Sequence, residues 1–238
     1  MVIIILFALF ESQIFPYSIF LENQYNPASH FQKGVFINFG TGTRFCLSEL
    51  RTYSIYTKIK SYSIHATSFG NDIYRENIIS AGMSIQVVDK VIAGFGIAML
   101  NYWIGNYCNR FGYSVKIGGL YHNKSTEIGG WINNINIPRF SDVDYLPPSY
   151  SLRFKYVTSN NVSLIFALRG LESDLPFFNI GVSCMPSKII TLGTGVNTDP
   201  LYLEYIIQLN LNTFILRYAG NNQRHLGLSH FLGLCFNP

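Results

Sequence analysis

Read at every second residue, the chain separates into apolar and polar rows. Arg224–Phe236 gives Leu226, Leu228, His230, Leu232, Leu234 and Phe236 on one side, against His225, Gly227, Ser229, Phe231, Gly233 and Cys235 on the other. A period of two belongs to a β-strand, whose successive side chains point to opposite faces. The pattern recurs upstream. Tyr150, Leu152, Phe154 and Tyr156 oppose Ser151, Arg153 and Lys155; Leu201, Leu203, Tyr205, Ile207 and Leu209 oppose Glu204, Gln208 and Asn210. Val91, Ala93, Phe95, Ile97 and Met99 alternate with Gly94, Gly96 and Ala98. About fourteen such segments follow Gly34, which makes the chain one all-β unit. Turn-like clusters separate them, among them Val88-Asp89-Lys90, Asn197-Thr198-Asp199-Pro200 and Gly220-Asn221-Asn222. Glu127–Ile137 loses phase around Asn133–Asn136, which reads as a bulge. The longest connection, Pro138–Pro148, is the candidate functional loop, with Arg139, Asp142, Asp144 and Tyr145 as its partner-contact candidates.

Alternation alone does not say what solvent the apolar rows meet, and composition helps to decide. Hydrophobic residues make up 48% and charged residues 13% of the chain, about half the charged share of an ordinary soluble domain. The apolar rows carry no Asp, Glu, Lys or Arg, and the opposite rows are mostly Gly, Ser, Asn and Gln. Their charges are sparse: Lys116, Arg153, Lys155, Arg169, Glu204 and Arg217 are the polar candidates for an inner wall. Tyr and Trp recur near strand ends, as at Trp103, Tyr113, Tyr121, Tyr156 and Tyr218. Apolar side chains outside, small and polar ones inside, and aromatic girdles predict a closed antiparallel transmembrane β-barrel. Closure also leaves no strand edge or backbone group unpaired in hydrocarbon. The rival class is a secreted soluble β-sandwich acting as a binding module, with Phe154, Ile207 and Leu226 buried between two sheets.

The opening MVIIILFALFES is too short for a membrane helix but has the length of the apolar core of an export signal. Residues 1–16 are therefore expected to be a signal peptide, 17–33 a short N-terminal segment, and 34–238 the barrel. The net charge of +4 is thinly spread, with no basic run, which argues against nucleic acid as a partner. Cys46, Cys108, Cys184 and Cys235 lie far apart without a C-x-x-C pair, so no clustered metal signature exists and no pairing can be ranked. No G-x-S-x-G, H-E-x-x-H or P-loop occurs, and His225 and His230 point to opposite faces of one strand. The expectation is a non-enzyme with no cofactor, metal or catalytic residues. The inner cations would suit an anionic head group such as a fatty-acid carboxylate, or else pair across a polar interior.

Several stretches then resemble one family. "YNPAS" at Tyr25–Ser29, containing Asn26, Pro27 and Ala28, is similar to the asparagine-proline-alanine motif of the FadL-like superfamily of outer-membrane barrels. "GGWINNINIPRF" at Gly129–Phe140, "PPSYSLRFKY" at Pro147–Tyr156 and the C-terminal hairpins resemble its PorV/PorQ-type branch in the same order. The resemblance implies a fourteen-stranded barrel in the outer membrane of a diderm bacterium, surrounded by outer-membrane lipid. It implies either passage of hydrophobic compounds or an accessory role beside components of a type IX secretion system. FadL-like proteins carry a Gly/Ala-rich N-terminal segment that enters the lumen. Here about ten residues separate the expected leader from Asn26 and show no such motif, so a sealed, partner-binding barrel is expected, with Asn-Pro-Ala acting as an entry turn.

Overall fold

The computed structural model describes residues 25–30, 34–141, 144–158, 161–172, 175–223 and 227–236, the side chain of His30 excepted. The leader expected over 1–16, most of 17–33, and Asp142, His225 and Leu226 lie outside them. Fourteen strands form one closed barrel in which each pairs with its neighbours in sequence. In order they are β1 (Val35–Arg44), β2 (Leu47–Ile59), β3 (Tyr62–Gly70), β4 (Tyr74–Val88), β5 (Val91–Ile104), β6 (Cys108–His122) and β7 (Thr126–Asn133). The circuit continues through β8 (Ser149–Val157), β9 (Val162–Leu171), β10 (Phe177–Cys184), β11 (Ile190–Thr198), β12 (Leu201–Leu211), β13 (Phe214–Gln223) and β14 (Gly227–Phe236). Antiparallel pairing of β1 with β14, from Ile37↔Phe236 to Thr43↔His230, closes it. Both β1 and β14 have their terminal ends at the same mouth, here called the near mouth.

The partition expected from the alternating rows is present. Phe154 and Ile207 stand on the outside, 37% and 45% exposed, where a sandwich would have buried them. Ile79, Ile97, Leu203 and Leu232 continue this exposed apolar wall. His230, the polar residue of the last outer row, stacks on Tyr218, which in turn lies 5.7 Å from the ring of Tyr205. The inner rows bury Glu76, Arg153, Arg169 and Glu204 together with Ser, Thr and Asn. Charges leave water at an acceptable cost only when they find partners. Arg153 meets Glu127 at 2.6 Å, and Glu204 accepts a hydrogen bond from Asn179 at 2.8 Å.

Two local expectations need correction. The chain runs straight through Gly220-Asn221-Asn222 as part of β13. Asn221 is buried on the inner row, so its amide serves a polar interior as readily as it would serve a turn. The loss of phase at Asn133–Asn136 marks the end of β7 rather than a bulge within it. β7 has 8 residues, whereas β4 and β6 have 15 each. At about 3.3 Å per residue β6 outruns β7 by roughly 23 Å measured along the tilted strand at the far mouth.

Candidate functional site in the barrel lumen

The inner wall of β4, β5 and β6 receives two inserts, one from each mouth. The first is the Asn-Pro-Ala stretch, which folds as a single 3₁₀ turn, Pro27–His30. Asn26 starts it as a cap: its Oδ1 accepts from the Ala28 amide at 2.9 Å, and its carbonyl accepts from the Ser29 amide at 3.1 Å. Proline at the first position suits such a turn because that amide has no internal partner. The turn is anchored to the wall by Asn26 Nδ2, which donates to the Gly119 carbonyl at 3.0 Å. Ala28 is fully buried between Ile92 and Leu120.

The wall is cut away to receive this segment. A Cβ on Gly94 would lie 2.2 Å from the Ala28 nitrogen, and one on Gly118 would lie 2.2 Å from Asn26 Oδ1. The entry turn read from the sequence is therefore real, but it sits inside the barrel. No Gly/Ala-rich hatch is visible in the sequence, yet this turn packs on the inner wall. The described part of the insert is one turn long, and the sequence around it contains no Gly/Ala repeat, so composition gave no sign of it.

The second insert comes from the connection between β7 and β8. Where β6 outruns β7, side chains take over the ladder. Asn136 Oδ1 accepts from the Val115 amide at 2.8 Å and its Nδ2 donates to the Tyr113 carbonyl at 2.7 Å, so one amide side chain mimics a neighbouring strand. Ser114 donates to Asn134 Oδ1 at 2.7 Å. Beyond them Arg139 and Tyr145 face each other across an antiparallel bridge, with the Leu146 amide donating to the Pro138 carbonyl at 2.9 Å. This turns Phe140 and Leu146 onto Ile78, Leu100 and Tyr102, all buried. The Phe140 ring meets Tyr102 edge-on at 5.2 Å, and Tyr102 Oη donates to Asp144 at 3.2 Å. Of the loop candidates, Asp144 thus holds the inner wall, while Arg139 and Tyr145 are exposed.

Lys116 lies between the two inserts. It runs across Gly96, where a Cβ would come within 2.9 Å of its stem. His65, hydrogen-bonded to Thr67 at 2.9 Å, meets both Tyr25 and Tyr56 edge-on nearby on β3. The other inner-wall candidates stand further round the circuit, from β8 to β13. Arg153 and Lys155 are on β8, Arg169 on β9, Glu204 on β12, and Arg217 on β13 donates to Gln208 at 2.8 Å. They do not converge on one point. Among the described residues no group of three His, Cys, Asp or Glu side chains could hold a metal ion, and none of the four cysteines is paired.

Sequence reasoning missed Ile78, Ile92, Leu100, Tyr102 and Leu120, the apolar residues that seat the inserts. A signal was there. Strict alternation places Ile78 in the row of Ser80, and Leu100 in the row of Ala98. Apolar side chains on an otherwise polar row mark places where something packs against the inside.

No protein-family model and no curated protein matches the chain. Solved structures do. The Pseudomonas putida toluene transporter TodX superposes with a TM-score of 0.66 at 8% identity, over 91% of this chain and 94% of that one. The Ralstonia pickettii toluene transporter TbuX gives 0.63 at 9% identity, over 91% and 92%. The monoaromatic hydrocarbon channel CymD gives 0.60 at 10% identity, over 91% of each chain. At such identities the likeness establishes architecture: over about nine-tenths of its length the chain has the barrel fold of these transporters and channels.

Proposed function

We propose that this protein is an outer-membrane barrel that conducts hydrophobic small molecules past its lumenal inserts. The observation that carries the reading is the Asn26–Ser29 segment seated inside a closed barrel on glycine-cut wall. A short insert held by contacts such as the Asn26–Gly119 hydrogen bond and the buried Pro27 and Ala28 side chains can be displaced at modest cost. The apolar exterior supports residence in lipid, because every strand turns its hydrocarbon side chains outward. The transporters and channels that share the fold support the cargo class.

Two measurements test this. In washed outer membranes the folded barrel should migrate differently on a gel before and after boiling; a single unchanged band would remove the membrane assignment. In vesicles with a lipopolysaccharide outer leaflet, the barrel should speed the entry of a monoaromatic hydrocarbon over empty vesicles. Equal rates would overturn conduction. They would favour the second reading, a sealed barrel of the PorV/PorQ type serving a secretion machinery. The Phe140–Leu146 insert, which occupies the inner wall toward the far mouth, is the observation on that side.

A further inference from the structure

Away from the residues that seat the inserts, the inner faces of β8 to β12 line a half-open recess of about 210 Å³. Its polar lining includes Arg153, Lys155, Ser163, Ser183, Thr191 and Gln208, and its apolar lining includes Ile165 and Ile206. At about 30 Å³ per water molecule it has room for roughly seven waters. That is too little for a long alkyl chain and ample for an anion of four or five heavy atoms with part of its hydration shell.

The charge around it is unbalanced. Arg153 is engaged by Glu127 at 2.6 Å, and Arg217 reaches the same wall by donating to Gln208. Lys155 forms no ion pair among the described residues; Glu127 and Arg153 are the charges it feels. The lining itself carries two cations, Arg153 and Lys155, and no carboxylate; Glu127 reaches Arg153 from β7. Gln208 accepts from Arg217 and donates to Asn210 at 2.7 Å, which fixes its amide. The hydroxyls of Ser163, Ser183 and Thr191 come from three different strands, β9, β10 and β11. Cationic side chains and hydroxyl donors lining one recess are the groups that recognise an oxyanion.

We propose that this recess is a binding site for a small oxyanion, a phosphate, sulfate or short carboxylate group, with Lys155 as its principal charge and Thr191 as a hydroxyl donor. The site is distinct from any hydrocarbon path and stands whether or not hydrocarbon crosses the barrel.

The test is calorimetric titration of the full chain, folded in detergent at low ionic strength, with inorganic phosphate. A second titration uses dibutanoyl phosphatidic acid. Saturable one-to-one binding of phosphate, displaced by sulfate, is expected. Binding of the lipid analogue alone would identify the source of the oxyanion as a head group; binding of phosphate would identify a free anion. Lys155→Met should weaken the affinity at least tenfold and Thr191→Val several-fold, while Lys116→Met, outside the recess lining, should leave it unchanged. Folding of each variant is read from its heat-modifiable gel shift, and if Lys155→Met fails to fold, Lys155→Gln and Thr191→Val decide. Absence of saturable binding of both probes, or equal affinity in the folded Lys155 and Thr191 variants, overturns the proposal.

Discussion

Replacing Gly94 by valine should dislodge the N-terminal turn from the lumen. The new Cβ would fall 2.2 Å from the Ala28 nitrogen, more than an ångström inside ordinary contact, and the obstacle is backbone on both sides. The segment must therefore back away. In doing so it gives up the burial of the Ala28 methyl, about 1 kcal/mol, and the hydrogen bond from Asn26 Nδ2 to Gly119, about another 1 kcal/mol net. Pro27, also fully buried, adds a share, so about 2–3 kcal/mol of docking free energy is lost. At about 1.4 kcal/mol per tenfold, the amides of Ala28 and Ser29 should exchange with deuterium roughly thirty- to a hundredfold faster. Hydrogen-exchange mass spectrometry on a peptide covering Tyr25–His30 reads this directly, because local opening controls that rate. Gly119→Val is the control: it lies on the adjacent strand, and a Cβ there meets nothing within 4 Å. If Gly94→Val leaves exchange unchanged, or if both variants accelerate it alike, the turn is not held against that wall.

Asn136→Ala removes both side-chain hydrogen bonds to the free edge of β6, and should cost about 1–2 kcal/mol, seen as a lower urea midpoint of the folded barrel in detergent. Phe140→Ala should free the β7–β8 insert and raise exchange at Leu146, whereas Tyr102→Phe, which keeps the edge-on ring contact and loses only the bond to Asp144, should cost no more than about 1 kcal/mol. Ile97→Lys places a charge on the outer wall at a side chain 53% exposed. If that wall faces lipid, folding into bilayers should weaken by about 2–4 kcal/mol, while a water-facing wall would tolerate the change.

The fold was legible because each strand repeats one simple rule. Rows such as Leu201–Leu209 contain no charge, and the strand count follows from where the alternation restarts. The two inserts were harder to read, for a physical reason. Whether Ile78 or Leu100 faces lipid or lumen follows from parity along a single strand. What it packs against lies far away in sequence, at Phe140 and Leu146 or at Ala28. The Asn133–Asn136 stretch misled because a bulge and a strand end both break the period of two; the fact that Asn136 continues the ladder with its side chain appears only in three dimensions. Parity along each strand assigns the inner charges to a row, yet their distribution round the circuit depends on barrel closure, which no local pattern contains.

Both inserts rest mainly on the arc from β4 to β6, and the opposite staves carry neither. What obstructs the bore and what sets its width are thus assigned to different halves of the circumference. Re-lining β9 to β13 with larger or smaller side chains could retune calibre and affinity for cargo without unseating either stopper. Such a division of labour lets one property drift while the other is conserved.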